Sequence, residues 1–222
     1  YQGATVSEQT LDRLSGQSAG MSLAQLANVF QAAGIAAAES GMVISDAVLE
    51  DAFETIRRGE AKKLPPAETL ERVARHEAGH TVINWLGGKL PVMIDAIPRG
   101  DAGGIMEHEA EEGGRVTTKS DLELRIRISM GGRAAELLYY GETNGLSTSV
   151  GTSRDGDLPY ASRLAVAMVQ ELGMDEIVGP INLKEIVERQ TGDSPLSVRV
   201  ARQSRKIVET QLKQAMDSLQ KN

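Results

Sequence analysis

The sequence contains no cysteine and only three histidines among its 222 residues. Disulfide bonds and thiolate metal ligands are therefore excluded, so a transition metal would have to be held by histidine, aspartate or glutamate. The absence of cysteine allows a reducing compartment without requiring one. The search for a metal site accordingly begins with His76, His80 and His108.

Aromatic residues are also scarce, at 3%, whereas glycine contributes 23 residues. Such a composition favours closely packed helices over a β-sandwich. The net charge of −7 argues against nucleic acid as a partner, because phosphate binding requires concentrated positive charge. The sequence has no run of about 18 apolar residues, so no segment of it is a candidate for spanning a membrane.

The N-terminal part of the sequence predicts a small helical unit. Ser22 precedes apolar residues with helical spacing and is a suitable N-cap, since its hydroxyl can accept a backbone N–H bond. Asp46 is predicted to cap a second helix, which ends at Gly59. A charged linker containing two prolines follows, and we place a domain boundary inside it, between domains 1–62 and 63–222.

The second domain is predicted to be mainly α-helical with a small β-sheet. Strands are expected only between residues 91 and 116, where short β-prone runs are bounded by glycine pairs. Helical periodicity predicts helices at about 68–86, 120–140, 158–172 and 196–220.

The strongest functional signal is the segment His76-Glu77-Ala78-Gly79-His80. Residues four apart share a helix face, so the two histidines can present imidazole nitrogens to one Zn²⁺ ion at about 2.0–2.1 Å. Zinc lowers the pKa of a bound water to about 7, and Glu77 can take the proton of that water and deliver it to a leaving amine. The competing interpretation is a chance pair of surface histidines. The apolar stripe on the other side of the helix argues against it.

A catalytic zinc ion needs a third protein ligand beside an open position. His108 lies in an acidic, glycine-bounded segment that is predicted to be an exposed loop, whereas Glu136 lies on a helix. Asp155 and Asp157 lie close to a predicted helix start, where the alternative role of Asp157 is that of an N-cap. The residue pattern alone leaves these four candidates open.

Several segments, in order along the chain, resemble the peptidase domain of the FtsH family of membrane-anchored, ATP-dependent zinc metalloproteases. The resemblance covers about residues 66–215. The ordered set is far more specific than the zinc motif alone. Its members are His76 to His80, Ile97-Pro98-Arg99-Gly100, Gly131-Gly132-Arg133-Ala134-Ala135-Glu136, Gly141-Glu142 and Asp157-Leu158.

The resemblance implies a role for particular residues. Asp157 would be the third zinc ligand, because the family's ligand is an aspartate that begins a helix. Glu136 would be an acid that supports the site without binding the metal. An edge strand at Gly104, Ile105 and Met106 would hold the peptide substrate by main-chain pairing. The stretch before Asp157 is several residues longer than is usual in the family.

The resemblance also implies properties of the whole protein. The expected activity is zinc-dependent endoproteolysis of unfolded or membrane polypeptides, carried out inside a ring of six identical subunits. The expected cofactor is Zn²⁺. Contact with a membrane would require an anchor outside this chain, with the protease domain in the cytoplasm or in an organelle interior.

The N-terminal unit resembles the helical lid of the family's AAA+ ATPase module. The phosphate-loop pattern G-x-x-x-x-G-K-[ST] does not occur in the sequence, so ATP is expected to act only through an ATPase core that this chain lacks. Leu23 and Gln25 stand where the family usually has glycine and aspartate. We therefore expect the lid to bind ATP weakly at most.

Two other functions compete with this interpretation. One is a non-catalytic module for ring assembly, with a structural or empty zinc site. Glu77 argues against it, because structural zinc needs no base. The other is a metal-dependent hydrolase acting on small molecules, which the ordered family segments disfavour.

Overall fold

The structure is a computed structural model that describes residues 4–99, 104–108, 116–151, 156–184 and 195–222. The chain forms two compact units. The first comprises the chain up to Pro66 together with Ala96–Ile105, and the second comprises Ala67–Asp95 and Met106–Asn222. The division into domains at 1–62 and 63–222 stays a prediction.

The first unit is built from helices α1 (Glu8–Gln17), α2 (Leu23–Ser40) and α3 (Asp46–Arg58). Ser22 caps α2 as predicted, because its hydroxyl accepts the backbone N–H of Gln25. The Gln25 side chain accepts the backbone N–H of Ser22 in return, which completes a capping box. The apolar faces of the helices enclose a core that includes Leu14, Val29, Ala33, Leu49 and Phe53.

The prediction that Asp46 caps α3 is wrong. Ser45 is the N-cap residue, and Asp46 is the first residue inside the helix. The Asp46 carboxylate instead accepts hydrogen bonds from the backbone N–H and the hydroxyl of Ser7, at 2.7 and 2.9 Å. Since the Ser7 hydroxyl also caps α1, these bonds join the starts of the two helices. They lower the pKa of Asp46.

Strands also occur outside the predicted region. Ala4–Thr5 (β1) pairs in parallel with Ile44–Ser45 (β2) in the first unit. Two-residue strands are too short to show an alternating pattern, so periodicity could not predict them. In the predicted region, β3 (Pro91–Asp95) and β4 (Ile105–His108) form a two-stranded sheet. The backbone of His108 therefore belongs to a strand, and not to the predicted loop.

The second unit is mostly helical, which confirms the predicted fold class. Its core joins side chains such as Ile126, Met130 and Met168. Among the described residues, no helix has the length and apolar character needed to cross a membrane. The α-helices that the structure describes in this unit are α4 (Ala67–Leu86), α5 (Lys119–Ser129), α6 (Gly131–Asn144), α7 (Asp157–Gln170) and α8 (Pro195–Lys221).

The single helix predicted at 120–140 is two helices, because the chain breaks at Met130 between α5 and α6. The glycines after the break bring α6 against α4. A β carbon on Gly79 would lie 2.8 Å from Cβ of Ala135, and one on Gly131 would lie 2.7 Å from the carbonyl oxygen of Gly79. The backbones of α4 and α6 are therefore in direct contact, which fixes the register of one helix against the other.

Candidate metal centre

Helix α4 carries the two histidines of the predicted zinc motif. His76 and His80 lie four residues apart, so both imidazoles project from one face of the helix. Both are buried, at 3% and 6% exposure. Their ring centroids are 4.8 Å apart and their planes meet at 74°. Two imidazoles held edge to face in the interior can direct nitrogen lone pairs to a common point.

Asp157 completes the cluster from the start of α7. Its Oδ2 lies 2.9 Å from Nε2 of His76 and 3.2 Å from Nε2 of His80. One potential ligand atom from each residue lies within 4.8 Å of the others. The hydroxyl of Ser129, the last residue of α5, donates to the carbonyl oxygen of Asp157 at 2.9 Å and fixes the first turn of α7. The structure therefore brings together the three residues that the resemblance implied as ligands.

Hydrogen bonds at the other ring nitrogens orient both imidazoles. Nδ1 of His76 lies 2.8 Å from Oε1 of Glu136, and Nδ1 of His80 lies 2.7 Å from the carbonyl oxygen of Ile128. Both partners are acceptors, so each Nδ1 carries a proton, and Nε2 is the ring nitrogen that would bind a metal after giving up its own proton. Such partners are usual for histidines that bind metal.

The donor set fits zinc. Two imidazole nitrogens and one carboxylate oxygen are a familiar set of protein ligands for a catalytic zinc ion, with a fourth position left for water. The protonated Nδ1 atoms of His76 and His80 face away from the cluster, and the Nε2 atoms face Asp157. The residues present are therefore suited to hold the ion.

The charges of the cluster support one another. Burial disfavours a charged Asp157, but hydrogen bonds with His76 and His80 outweigh it and hold the pKa of this carboxyl at about 2. Burial likewise disfavours a charged His76, but hydrogen bonds with Asp157 and Glu136 raise the pKa of this imidazole to about 9. A concentration of negative charge around two imidazoles is a setting that attracts a cation.

Glu77 follows the first histidine on α4 and is also buried, at 8% exposure. Its negative charge is one of the influences that raise the pKa of His76. A carboxylate in this position lies beside the cluster without being one of its three potential ligands.

Glu136 supports the cluster from α6 and is almost fully buried, at 1% exposure. Burial disfavours its charge, yet hydrogen bonds from His76, Ser147 and Arg72 hold its pKa at about 2. Its Oε1 faces His76, and its Oε2 accepts Nη1 of Arg72 at 2.6 Å. Glu136 thus contacts a predicted ligand without joining the ligand group, in the position that the resemblance implied.

The other candidates from the sequence have different positions. The structure describes the backbone of His108, but its side chain and the whole of Asp155 lie outside the described residues. Asp157 is the first residue of α7, and the N-cap position belongs to Gly156, so the alternative interpretation of Asp157 as an N-cap is wrong. Its carboxylate turns to the two imidazoles instead.

The predicted substrate residues lie at the start of β4. Ile105 and Met106 belong to the strand, and Gly104 immediately precedes it. The side chain of Met106 packs against the core cluster of Ile83 and Ile128. The carbonyl oxygen of Ile128 also accepts a hydrogen bond from His80. Strand β4 and the proposed metal ligands therefore both contact Ile128.

Sequence reasoning missed Arg72, Ile128 and Ser129. Arg72 had a weak signal, since it lies four residues before His76 and so shares its helix face. The contribution of Ile128 is a backbone carbonyl, which no side-chain pattern can reveal. Ser129 depends on the helix break that was not predicted.

The fold and the site together are those of a helical zinc metalloprotease. The family model described as Peptidase family M41 matches residues 64–222, and the chain belongs to that family. The predicted relationship to FtsH proteases and the predicted Zn²⁺ cofactor are thereby confirmed.

Curated relatives share the name ATP-dependent zinc metalloprotease FtsH. The protein of Mycoplasmopsis pulmonis is 32% identical over 97% of this chain and 31% of its own length. That of Mycoplasma mobile is 34% identical over 97% of this chain and 32% of its own length. That of Metamycoplasma arthritidis is 39% identical over 75% of this chain and 22% of its own length. The chain therefore spans about a third or less of the length of these relatives.

Proposed function

We propose that this chain is the proteolytic part of a zinc-dependent endopeptidase in which His76, His80 and Asp157 hold the metal and Glu77 is the catalytic base. The observation that carries the proposal is that one carboxylate oxygen of Asp157 meets Nε2 of both histidines. Three ligand atoms from two helices converge there in a mostly buried position, as a catalytic zinc site requires.

The chemistry divides between the ion and the side chains. Zinc supplies an activated water and polarises the scissile carbonyl when it is bound. Glu77 accepts a proton from the attacking water and delivers it to the leaving amine nitrogen. Glu136 and the carbonyl oxygen of Ile128 keep the imidazoles oriented throughout, because they accept the Nδ1 protons.

The proposed substrate is an extended polypeptide that lies along β4. Gly104, Ile105 and Met106 would pair with it through main-chain hydrogen bonds, as in other proteins that add a peptide strand to a sheet edge. Such binding depends little on side-chain identity. It also requires an unfolded segment, because the backbone of a folded protein is already paired.

The proposed context is an ATP-driven ring. The relatives are named as ATP-dependent proteases, and the N-terminal unit resembles the lid of an AAA+ module. An ATPase core elsewhere in the protein would unfold substrates and pass them to the peptidase sites of a homo-hexamer. An anchor outside this chain would place the ring at a membrane, with its substrates among unfolded and membrane polypeptides.

The test compares wild-type chain with Glu77→Gln for zinc content and for casein cleavage. We expect the variant to keep stoichiometric zinc and to lose cleavage, because glutamine retains the size of the side chain without the base. Glu68→Gln, on the exposed first turn of the same helix, is the matched control and should cleave normally. A chelator should abolish cleavage by the wild type.

Two results would contradict the proposal. Cleavage by Glu77→Gln at the wild-type rate would remove Glu77 from the mechanism. A wild-type chain that holds zinc but cleaves neither casein nor unstructured peptides would favour the non-catalytic assembly module.

A further inference from the structure

Arg72 lies one helical turn before His76 on α4 and contacts the carboxylate that orients this histidine. We propose that Arg72 is a positioning residue of the metal centre, which acts on His76 through Glu136. The inference depends on the proposed zinc site and adds to it a residue outside the motif.

The two oxygens of Glu136 are divided between these partners. Oε2 accepts Nη1 of Arg72 at 2.6 Å, and Oε1 faces Nδ1 of His76 at 2.8 Å. Because the carboxylate is planar and rigid, a donor fixed at one oxygen sets the direction of the other. Arg72 therefore determines where the acceptor for His76 lies, and through it the direction of Nε2.

The environment of Glu136 makes this partner necessary. Its side chain is 1% exposed, so water cannot solvate its charge. A buried carboxylate is costly unless cations and hydrogen bonds compensate it. Arg72, whose side chain is 26% exposed, brings a permanent positive charge from the edge of the site. Without it, Glu136 would gain by turning away from His76 toward solvent.

Arg72 is itself held from two further sides. The same Nη1 donates to the carbonyl oxygen of Asn144 at 3.0 Å. The guanidinium lies over the ring of Tyr140, 3.9 Å from its centroid. The carbonyl of Asn144 is available there because Asn144 is the last residue of α6, where carbonyl groups have no partner within the helix. A lysine could pair with Glu136 but could not reproduce the planar stack.

Arg75 makes the same kinds of contact as Arg72 but at the protein surface, and not with Glu136. It lies one turn further along α4, pairs with Glu71 at 2.5 Å, and stacks over Tyr139 at 3.3 Å from the centroid. It has the same residue type, helix and kinds of contact as Arg72. Its ion-pair partner is an exposed surface glutamate, so Arg75 offers a matched control.

The experiment measures zinc affinity by competition with a chromophoric chelator. Arg72→Met keeps the length and apolar stem of the side chain but removes the charge and the donors. We expect zinc to bind about 10–100-fold more weakly to it, which is the usual effect of losing an outer partner of a metal ligand. Arg72→Lys should recover part of the loss, and Arg75→Met should bind zinc as the wild type does.

Two further measurements separate positioning from a structural role. Cobalt bound in place of zinc should show altered visible bands in Arg72→Met and unaltered bands in Arg75→Met, since these bands report the ligand geometry. Arg72→Met should add little to the loss caused by Glu136→Gln, because both changes break one chain of contacts. Thermal unfolding of the metal-free variants by circular dichroism shows which of them are folded. If Arg72→Met does not fold, Arg72→Lys replaces it in both measurements.

Several outcomes would overturn the inference. Wild-type zinc affinity and cobalt bands in Arg72→Met, or in Arg72→Lys if only that variant folds, would show that Arg72 does not position the site. Fully additive losses for Arg72→Met and Glu136→Gln would show that Arg72 does not act through Glu136. A wild-type chain that binds no zinc would instead overturn the metal centre, and this inference with it.

Discussion

A β carbon on Gly132 would lie 2.5 Å from both Cδ2 and Cε1 of His76 and would overlap Nε2. The backbone of α6 therefore lies directly against the flat face of the imidazole, at its Nε2 end. A glycine at this position is a steric condition for the site, since any side chain would displace the ring that Asp157 contacts.

Gly132→Ala is predicted to impair zinc binding while the chain still folds. The added methyl group would overlap the ring of His76. Because the methyl group is attached directly to the backbone of α6, the ring has to move. We expect zinc affinity to fall by about tenfold or more, as for other changes that misplace a metal ligand. Competition with a chelator measures the change, and far-ultraviolet circular dichroism confirms the helices.

Gly16→Ala is the control for the effect of alanine on a helix. Gly16 lies within α1, and a β carbon there would meet no atom within 4 Å. This change should leave zinc affinity unaltered. Wild-type zinc affinity in Gly132→Ala would mean that His76 does not bind the metal through the nitrogen that faces Gly132.

The sequence was sufficient to predict helix α4 and the spacing of His76 and His80 on it. Both follow from the local rule that residues four apart share a helix face. The place of Asp157 in the site depends on its contacts with His76, 81 positions earlier in the chain, and with His80, 77 positions earlier. Only the family resemblance selected Asp157 from the four candidates. Local periodicity contains no information on which distant acid reaches the histidines.

Two features were not predicted, for different physical reasons. The contact of Arg72 with Glu136 depends on the register of α4 against α6, which the Gly79–Gly131 backbone contact sets. The break at Met130 had a signal, since two adjacent glycines follow it and each costs a helix about 1 kcal/mol relative to alanine. The continuous apolar pattern on both sides of the break obscured it.

Gly79→Ala is predicted to destabilise the second unit. Its methyl group would overlap the carbonyl oxygen of Gly131 and lie 2.8 Å from Cβ of Ala135. Since α4 and α6 would have to separate, we expect a loss of about 1–3 kcal/mol in the free energy of unfolding, as for other overpacked sites. Urea denaturation of the metal-free chain measures it, with Ala78→Gly as a control on the same helix.

The control separates overpacking from helix propensity. Ala78→Gly should cost about 1 kcal/mol through propensity alone, whereas alanine at 79 gains in propensity and should still destabilise. A Gly79→Ala chain that is more stable than the wild type would show that the two helices do not pack at this distance.

Asp46→Asn is predicted to make the first unit less stable at neutral pH but not in acid. The Asp46 carboxylate accepts two hydrogen bonds from Ser7, which lower its pKa below the usual 3.8. A lowered folded-state pKa contributes stability above the unfolded pKa, and this contribution disappears as the pH falls through the folded pKa. Thermal unfolding at pH 7 and below pH 3.8 tests the difference.

The matched control is Asp12→Asn, on the exposed surface of α1. It should change the melting temperature little at either pH. A constant difference between wild type and Asp46→Asn across the acid range would mean that the charge of Asp46 does not stabilise the fold.

Asp157→Asn is predicted to lose zinc, whereas Asp155→Asn keeps it. Asp157 Oδ2 lies within hydrogen-bonding distance of Nε2 of both histidines, so the position of the third ligand is already defined by the cluster. Asparagine keeps the shape of the side chain but removes the charge that zinc prefers in an oxygen ligand. Loss of a whole ligand should exceed the about 10–100-fold effect of losing an outer partner such as Glu136.

The comparison with Glu136→Gln orders the three acids. The ligand should show the largest loss of zinc, the acid bonded to His76 an intermediate loss, and Asp155 none. Isothermal titration of zinc into each chelator-treated variant gives the order directly. If Asp155→Asn loses zinc and Asp157→Asn retains it, the ligand lies two residues earlier, and the contacts of Asp157 with the imidazoles are those of the metal-free chain only. If Glu136→Gln shows the largest loss, the helix-borne glutamate is the third ligand, and Asp157 only neutralises the charge of the pair.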